Sequence, residues 1–577
     1  MKKIYLPLAL AATLALGACS SDNVIDNGGS SPIDLSKGGF VKMSLNLPTD
    51  NNRGSRAELN DGLANEYGIK NAYLVLFEGG DDENAATIKG AYALSNSDFE
   101  AVGDDPNHVT LTKRIAFAND TKKPSESNKH IYALVVLNNN GLFTVDGNQL
   151  KFDTNVTTGE YATFANFANF SKVIASTSTD GTTPFASNVA TNGIFMTNAP
   201  LCTEPGGATA PGTAAAIKTL ADVTSNIYTT EAEAKSKPAA EIYVERAVAK
   251  VTVQSKSGAL EANQNNAASK ISYELYNWAV DNTNKKSYIV RQYDNKWNKL
   301  YSNKAADANK YRFVWDTPVN PNANVELYRT AFAQDPEYAT TTNADKYNRI
   351  ASNTSMSTAF GNSTAFGNEH PQYCNENTFQ VTAQNQDQTT RVVLGVKMSA
   401  PGTTTYDEDL YTVNGNKEVV YTEASLAERL KNILLNDPTV NTWAENHKTD
   451  ASFNITFNTD AAGATTITKA TFKGKTTTPG ATEEKLESFT TEQLNKALPN
   501  IVRYKGGVAY YAVRIKHFGD SDTPWNKEGQ GVTAGGNSLI YPNPSAGASD
   551  GWFLGRYGVA DISKSVIPNH IFSNHKS

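Results

Sequence analysis

The 577-residue chain predicts a mainly β fold, built as two β-sandwich domains in tandem with a few short helices. Three observations carry this expectation. Aromatic residues make up 10% of the chain, with 26 Tyr and 23 Phe, while charged residues are only 19%, a mixture suited to half-buried pleated surfaces. Short apolar or alternating segments recur between Gly- and Asn-containing turns. Apolar residues at helical spacing are rare. At this length one compact core is too small, so at least two domains are expected.

The first element is a targeting segment. Lys2 and Lys3 precede an apolar run at 6–16, too short to span a bilayer, and Leu16-Gly17-Ala18-Cys19 follows. A Leu, two small residues and a Cys form the pattern of a bacterial lipobox. Residues 1–18 are therefore expected to be a lipoprotein signal peptide, and Cys19 the lipidated residue. Acyl chains on Cys19 would anchor the protein to the outer membrane without a transmembrane helix. A polar, Gly-containing tether at 20–36 comes next.

Residues 41–47 alternate with period two. Val41, Met43, Leu45 and Leu47 share one face, and Lys42, Ser44 and Asn46 share the other, which predicts a strand with a core side and a water side. Pro48 stops it. A polar loop follows, with Arg53, Gly54, Arg56 and Ala57. The stretches 72–77 and 131–137 are apolar on both faces and predict central strands, closed by Gly79-Gly80 and by the turn at 138–141. Residues 162–170 repeat Phe-Ala-Asn and suggest a short helix or loop packed on the sheet. A Gly/Pro/Ala/Thr-rich stretch at 202–215 has a linker's composition. Residues 241–253 then predict one long strand, with the second domain starting just before or within it. Further strands are expected at 271–280, 391–398, 451–457, 470–473 and 508–517, and one helix at 423–435. The duplicated Ala-Phe-Gly-Asn at 359–362 and 365–368 is too short to be a structural repeat.

Motifs of chemistry fail on inspection. Gly474-Lys475-Thr476 resembles the end of a phosphate loop, but Lys469 stands where the first glycine is needed. Asp520-Ser521-Asp522 opens like a calcium loop and runs into Pro524. The seven histidines are scattered, and His517 reads as structural. No metal, cofactor or catalytic residue is called for, and the expectation is a non-enzyme. The net charge of -7 argues against a nucleic-acid partner. Cys202 and Cys374 are too few for a disulfide framework and stay unassigned. Abundant Tyr and Trp leave open a glycan-binding role beside the more ordinary one of filling cores.

Several phrases, in order, resemble the fimbrillins of Bacteroides- and Porphyromonas-type bacteria, most nearly the major subunit of short fimbriae. They are residues 244–251 (Val-Glu-Arg-Ala-Val-Ala-Lys-Val), Met196-Thr197-Asn198, Glu376-Asn377-Thr378, Gly507-Val508-Ala509-Tyr510-Tyr511 running into Ile515-Lys516-His517-Phe518, and Gly555-Arg556-Tyr557-Gly558-Val559. The resemblance implies transthyretin-like sandwiches and assembly by strand exchange. In fimbrillins of this type the lipoprotein precursor is cut after an arginine by an Arg-specific protease, which removes the first strand. A neighbouring subunit's strand then fills the gap. Carried onto this chain, the cut bond is Arg56-Ala57, with Arg53-Gly54 the second choice, and the removable strand is Val41, Met43, Leu45 and Leu47. Read without the resemblance, Arg53 and Arg56 are solvated loop charges. The expected division is 1–18 signal peptide, 19–56 lipidated tether and removable strand, 57–240 first domain and 241–577 second domain. Expected partners are other fimbrial subunits, the protease, the outer membrane through the lipid, and a host protein or glycan. One departure stands out. After Val559 the family's Arg-Asn-Asn-aromatic strand is missing, and Pro568 interrupts the tail. That ending suits a gene shortened or shifted in frame, or a subunit, as at a fimbrial tip, that receives a strand without donating one; Val566, Ile567, Ile571 and Phe572 leave open a short donor, with Pro568 between them removing a ladder donor.

Overall fold

The computed structural model describes residues 39–515, except 48–62, 64, 102–107, 116–128, 148, 154–155, 158–165, 179–180, 204–216, 254–270, 293–313, 319–326, 331–333, 338–343, 351–363, 378–389 and 461–462. The chain is mainly β, as its composition and alternation predict. Among the described residues no helix is long and apolar enough to cross a membrane.

The first sandwich is assembled from β1 (Gly39–Asn46), β2 (Ala72–Gly79), β3 (Thr87–Leu94), β4 (Phe99–Ala101), β5 (His108–Ile115), β6 (His130–Leu137), β7 (Met196–Asn198), β8 (Ala221–Asp222), β9 (Ile227–Tyr228) and β10 (Ala240–Arg246). They run in the order β3-β2-β6-β7-β10-β1-β5-β4, with β8 on β6 and β9 on β1. Strand β10 turns the corner. Ala240 to Tyr243 pair with β1, whereas Val244 to Arg246 pair with β7. One strand thus belongs to both layers, as at the corners of orthogonal sandwiches. The inner core joins Val41, Met43 and Leu45 to Leu74, Leu76, Ile131, Val135, Ile242 and Val244. The opposite faces of β2 and β6 are buried too, by Val75, Phe77, Leu134 and Val136. That is why both strands are apolar throughout. Helix α1 (Phe167–Phe170) lies on this second face, where Phe167 and Phe170 meet the Phe77 ring edge-on at 5.4 and 5.6 Å.

The long strand expected at 241–253 is two strands. β10 ends at Arg246 within the first sheet, and β11 (Ala249–Val251) pairs with a different strand beyond Ala247 and Val248. The chain therefore leaves the first sheet after Arg246, inside the stretch at which the second domain's start is expected. The physical reason is that β10 has ladder partners on both sides in the first sandwich.

In the second sandwich β11 pairs with β13 (Gln372–Cys374), and β12 (Tyr273–Asp281), β14 (Arg391–Met398) and β21 (Val508–Arg514) form a three-stranded sheet. Their shared core holds Val251, Trp278, Cys374, Leu394, Val396 and Ala509. The second Ala-Phe-Gly-Asn copy closes it: Phe366 packs against the core, and the Ala365 carbonyl accepts from Trp278 Nε1 at 2.9 Å. The first copy lies outside the described residues.

Between β14 and β21, which are hydrogen-bonded neighbours, the chain inserts a further unit. It holds β15 (Leu410–Val413), β16 (Asn416–Thr422), β17 (Thr449–Thr459), β18 (Ala464–Lys475), β19 (Glu484–Leu486) and β20 (Ile501–Tyr504), ordered β16-β15-β20-β18-β17 with β19 on β18. Helices α3 (Glu423–Leu434), α4 (Pro438–Asn446) and α5 (Thr491–Ala497) supply Leu426, Leu430, Val440 and Leu494 to its own core with Ile467 and Phe472. The expected helix at 423–435 is α3. Gly474 sits at the end of β18, where a Cβ would fall 2.0 Å from the His447 carbonyl oxygen, so close packing accounts for it.

Candidate functional site

Strand β1 is an interior strand. Along one side it is antiparallel to β5, from Gly39 opposite Ile115 to Asn46 opposite His108. Along the other side it meets β9 at Phe40 and Val41, then runs parallel to β10 from Met43 to Asn46. Val41, Met43 and Leu45 are wholly buried and Leu47 nearly so. At about 1.5–3 kcal/mol for each such side chain, the apolar face is worth on the order of 6–12 kcal/mol, an upper figure because unfolded chains are partly compact.

The face expected to meet water is largely covered. Ser44 is buried. Lys42 Nζ donates to the carbonyl oxygens of Lys235 and Lys237, each at 2.8 Å, at the end of helix α2 (Glu231–Ser236). A cation placed there satisfies carbonyls that the helix leaves unpaired. Asn46 Nδ2 donates to Glu241 Oε2 at 2.7 Å, tying β1 sideways to β10.

The described chain is fastened at Glu66. Glu66 is fully buried, and its carboxylate meets Lys250 Nζ at 2.9 Å, the Leu63 N–H at 2.7 Å and the Tyr373 hydroxyl. Its carbonyl accepts from Arg246 Nε at 3.2 Å. Nearby, buried Arg291 bridges Glu245 at 3.0 Å and Glu376 at 3.1 Å. Burial opposes the Arg291 charge, but the two carboxylates outweigh it and hold the guanidinium's pKa above its ordinary value. Glu245, Arg246, Lys250 and Glu376 are the charged residues of two of the phrases noted above. They meet where the two sandwiches join. Asn198 of a third phrase is also buried; it accepts from the Val135 N–H at 2.9 Å and donates to the carbonyls of Ala133 and Thr219.

Of the residues singled out from sequence, Val41, Met43, Leu45 and Leu47 come together in one core. Cys19, Arg53, Gly54, Arg56 and Ala57 lie outside the described residues. Cys202 and Cys374 form no disulfide, and burial pushes the Cys374 thiol up to about 12, so it stays protonated. The junction of Glu66, Lys250, Arg291 and Glu376 was not anticipated. Its one sequence signal is charge placed inside the otherwise apolar run at 244–251.

No family model matches the chain, and no curated protein matches it. Among solved structures it is similar to a fimbrial assembly protein from Parabacteroides distasonis, 13% identical, covering 62% of this chain and 81% of that one with a TM-score of 0.26. It is also similar to a candidate cell adhesion protein from the same organism, 10% identical, covering 63% and 81% with a TM-score of 0.24.

Proposed function

We propose that this chain is a structural subunit of a surface fimbria, exported as a lipoprotein on Cys19, activated by Arg-specific proteolysis and polymerised by strand exchange. The observation that carries this reading is the place of β1, an interior strand with three core side chains and Leu47 just after it, followed in the sequence by Arg53 and Arg56. Cutting at Arg56-Ala57, or at Arg53-Gly54, leaves β1 joined to the sandwich by noncovalent contacts alone. Its departure opens a slot between β5 and β10, with unpaired ladder groups on both sides and the core at its floor. A strand from a neighbour restores both. It must lie parallel to β10 and antiparallel to β5, and carry apolar residues at alternate positions. The Glu66 cluster keeps the chain beyond the cut in place, so β1 is the part that is lost.

In this reading the partners are other subunits, the protease and, before cleavage, the outer membrane. The second reading is a tip or accessory adhesin that accepts a strand without donating one, or a glycan-binding surface lipoprotein. The test is to treat the purified precursor with an Arg-specific protease. The new N-terminus should be Ala57, with Gly54 the alternative, and detergent gels run without strong heating should show ladders. The double variant Arg53→Ala, Arg56→Ala should stay uncut and monomeric. Capped dimers with no longer species would favour the accepting subunit. Surface material that still carries β1 and its lipid while assembled would overturn the reading.

A further inference from the structure

We propose that the outer face of the β12-β14-β21 sheet is a carbohydrate-binding platform formed by Tyr276 and Tyr510 on either side of Gly395. Among the described residues these two tyrosines are the exposed large hydrophobics, at 37% and 44% exposure. They stand on the two strands that flank β14, next to the same residue of it. Tyr510 pairs with Gly395 directly. On the other side the ladder passes from Leu275 opposite Val396 to Asn277 opposite Gly395, so Tyr276 is the extra residue of a β-bulge. A bulge re-aims side chains, and here Tyr276 and Asn277 both leave the core side, to which Tyr273, Leu275 and Trp278 belong.

Gly395 makes the platform flat. A Cβ there would fall 2.0 Å from Asn277 Oδ1 and 3.0 Å from a Tyr510 ring carbon. An aromatic ring laid over a strand glycine is a common way of shielding it, and that alone would account for Tyr510. It leaves unexplained the bulge, the exposed Tyr276 and the buried amide between them. Asn277 is 3% exposed, and its Oδ1 accepts no hydrogen bond among the described residues. An acceptor kept without a donor is costly unless something else supplies one.

The chemistry around the rings selects the ligand. Lys397 Nζ lies 4.4 Å from the centre of the Tyr276 ring and is paired with Asp407, and exposed Glu274 stands on the same face. Further along the sheet Ile350 covers Ala279 and Val393, so the open area is limited to the two rings and their polar rim. Two aromatic faces framed by an ion pair, a carboxylate and an amide acceptor suit a pyranose, whose C–H face stacks on rings while its hydroxyls donate and accept at the edge. A protein partner would call for a wider apolar patch.

The test uses the full uncleaved chain, so it is independent of polymerisation. Immobilised oligosaccharides of galactose, mannose and N-acetylglucosamine are screened, and the one retained is titrated in solution. Tyr276→Ala and Tyr510→Ala should each weaken binding by about tenfold or more. Tyr276→Phe and Tyr510→Phe should stay within about threefold, since the ring faces remain. Tyr421→Ala, on the inserted unit, should bind as the parent does. Should Tyr510→Ala unfold the sheet, Tyr276→Ala with an unchanged melting curve still decides. Retention of no sugar, retention unaffected by Tyr276→Ala, or attachment to a glycoprotein that persists after its glycans are removed would overturn the proposal.

Discussion

Glu66 and Lys250 are 184 positions apart in the chain and make a buried ion pair at the junction of the two sandwiches. Such a pair is weak evidence for stability in itself, but breaking it is costly because one charge is left without its partner. Lys250→Met should lower the midpoint of the first denaturant-unfolding transition by the equivalent of about 3–5 kcal/mol. The double variant Glu66→Leu, Lys250→Met should recover most of that loss, since no orphan charge remains. If the single and double variants are equally unstable, the pair's value lies in packing rather than charge. None of this junction was legible beforehand. A carboxylate at 66 and an ammonium at 250 show no spacing that announces contact, and only the charge within the apolar run at 244–251 hints that those side chains are satisfied inside.

The behaviour of strand β1 as an element follows from its two flanks. Leu45 is wholly buried in the first core, and truncation to alanine should cost about 2–5 kcal/mol in the uncut precursor. After proteolysis and loss of the strand, parent and Leu45→Ala should melt alike. A persisting difference would mean that β1 stays. This strand was plain in the sequence because period-two alternation needs only local information. So was α3, whose Leu426, Leu430 and Leu434 recur at helical spacing. Other elements carried signals that periodicity overlooks. Asp437-Pro438 opens α4 as N-cap and first-turn proline, and Thr490 with Gln493 forms the capping box of α5. The sideways reach of β10 into two layers could not be read, because a run buried on both faces looks the same whichever sheet holds it.

For the whole molecule, the unit inserted between β14 and β21 is the largest departure from the expected pair of sandwiches. Its strands at 451–457 and 470–473 and its helix were anticipated one by one, yet nothing in composition separates it from the domain that holds it. Lys397 and Val508 face each other across the ladder, so the unit leaves and returns at one place. It owns a core of Leu426, Leu430, Phe472 and Leu494, and also lends Leu410 and Val420 to the second sandwich. A fragment spanning 401–506 should therefore fold by itself, with a cooperative melt and mixed helix and strand in circular dichroism. The chain lacking it, closed by a short Gly turn, should keep its sheet but melt at a lower temperature. A fragment that shows only random-coil spectra would mean the unit depends on its host.

The place of β1 also sets the shape of any assembly made through it. A gap with hydrogen-bonding rails on both sides is one strand wide, about 10 Å from rail to rail. Once filled it offers no fresh edge for another chain to extend. Growth through such a gap adds subunits in single file, giving an unbranched thread rather than a spreading sheet or a clump.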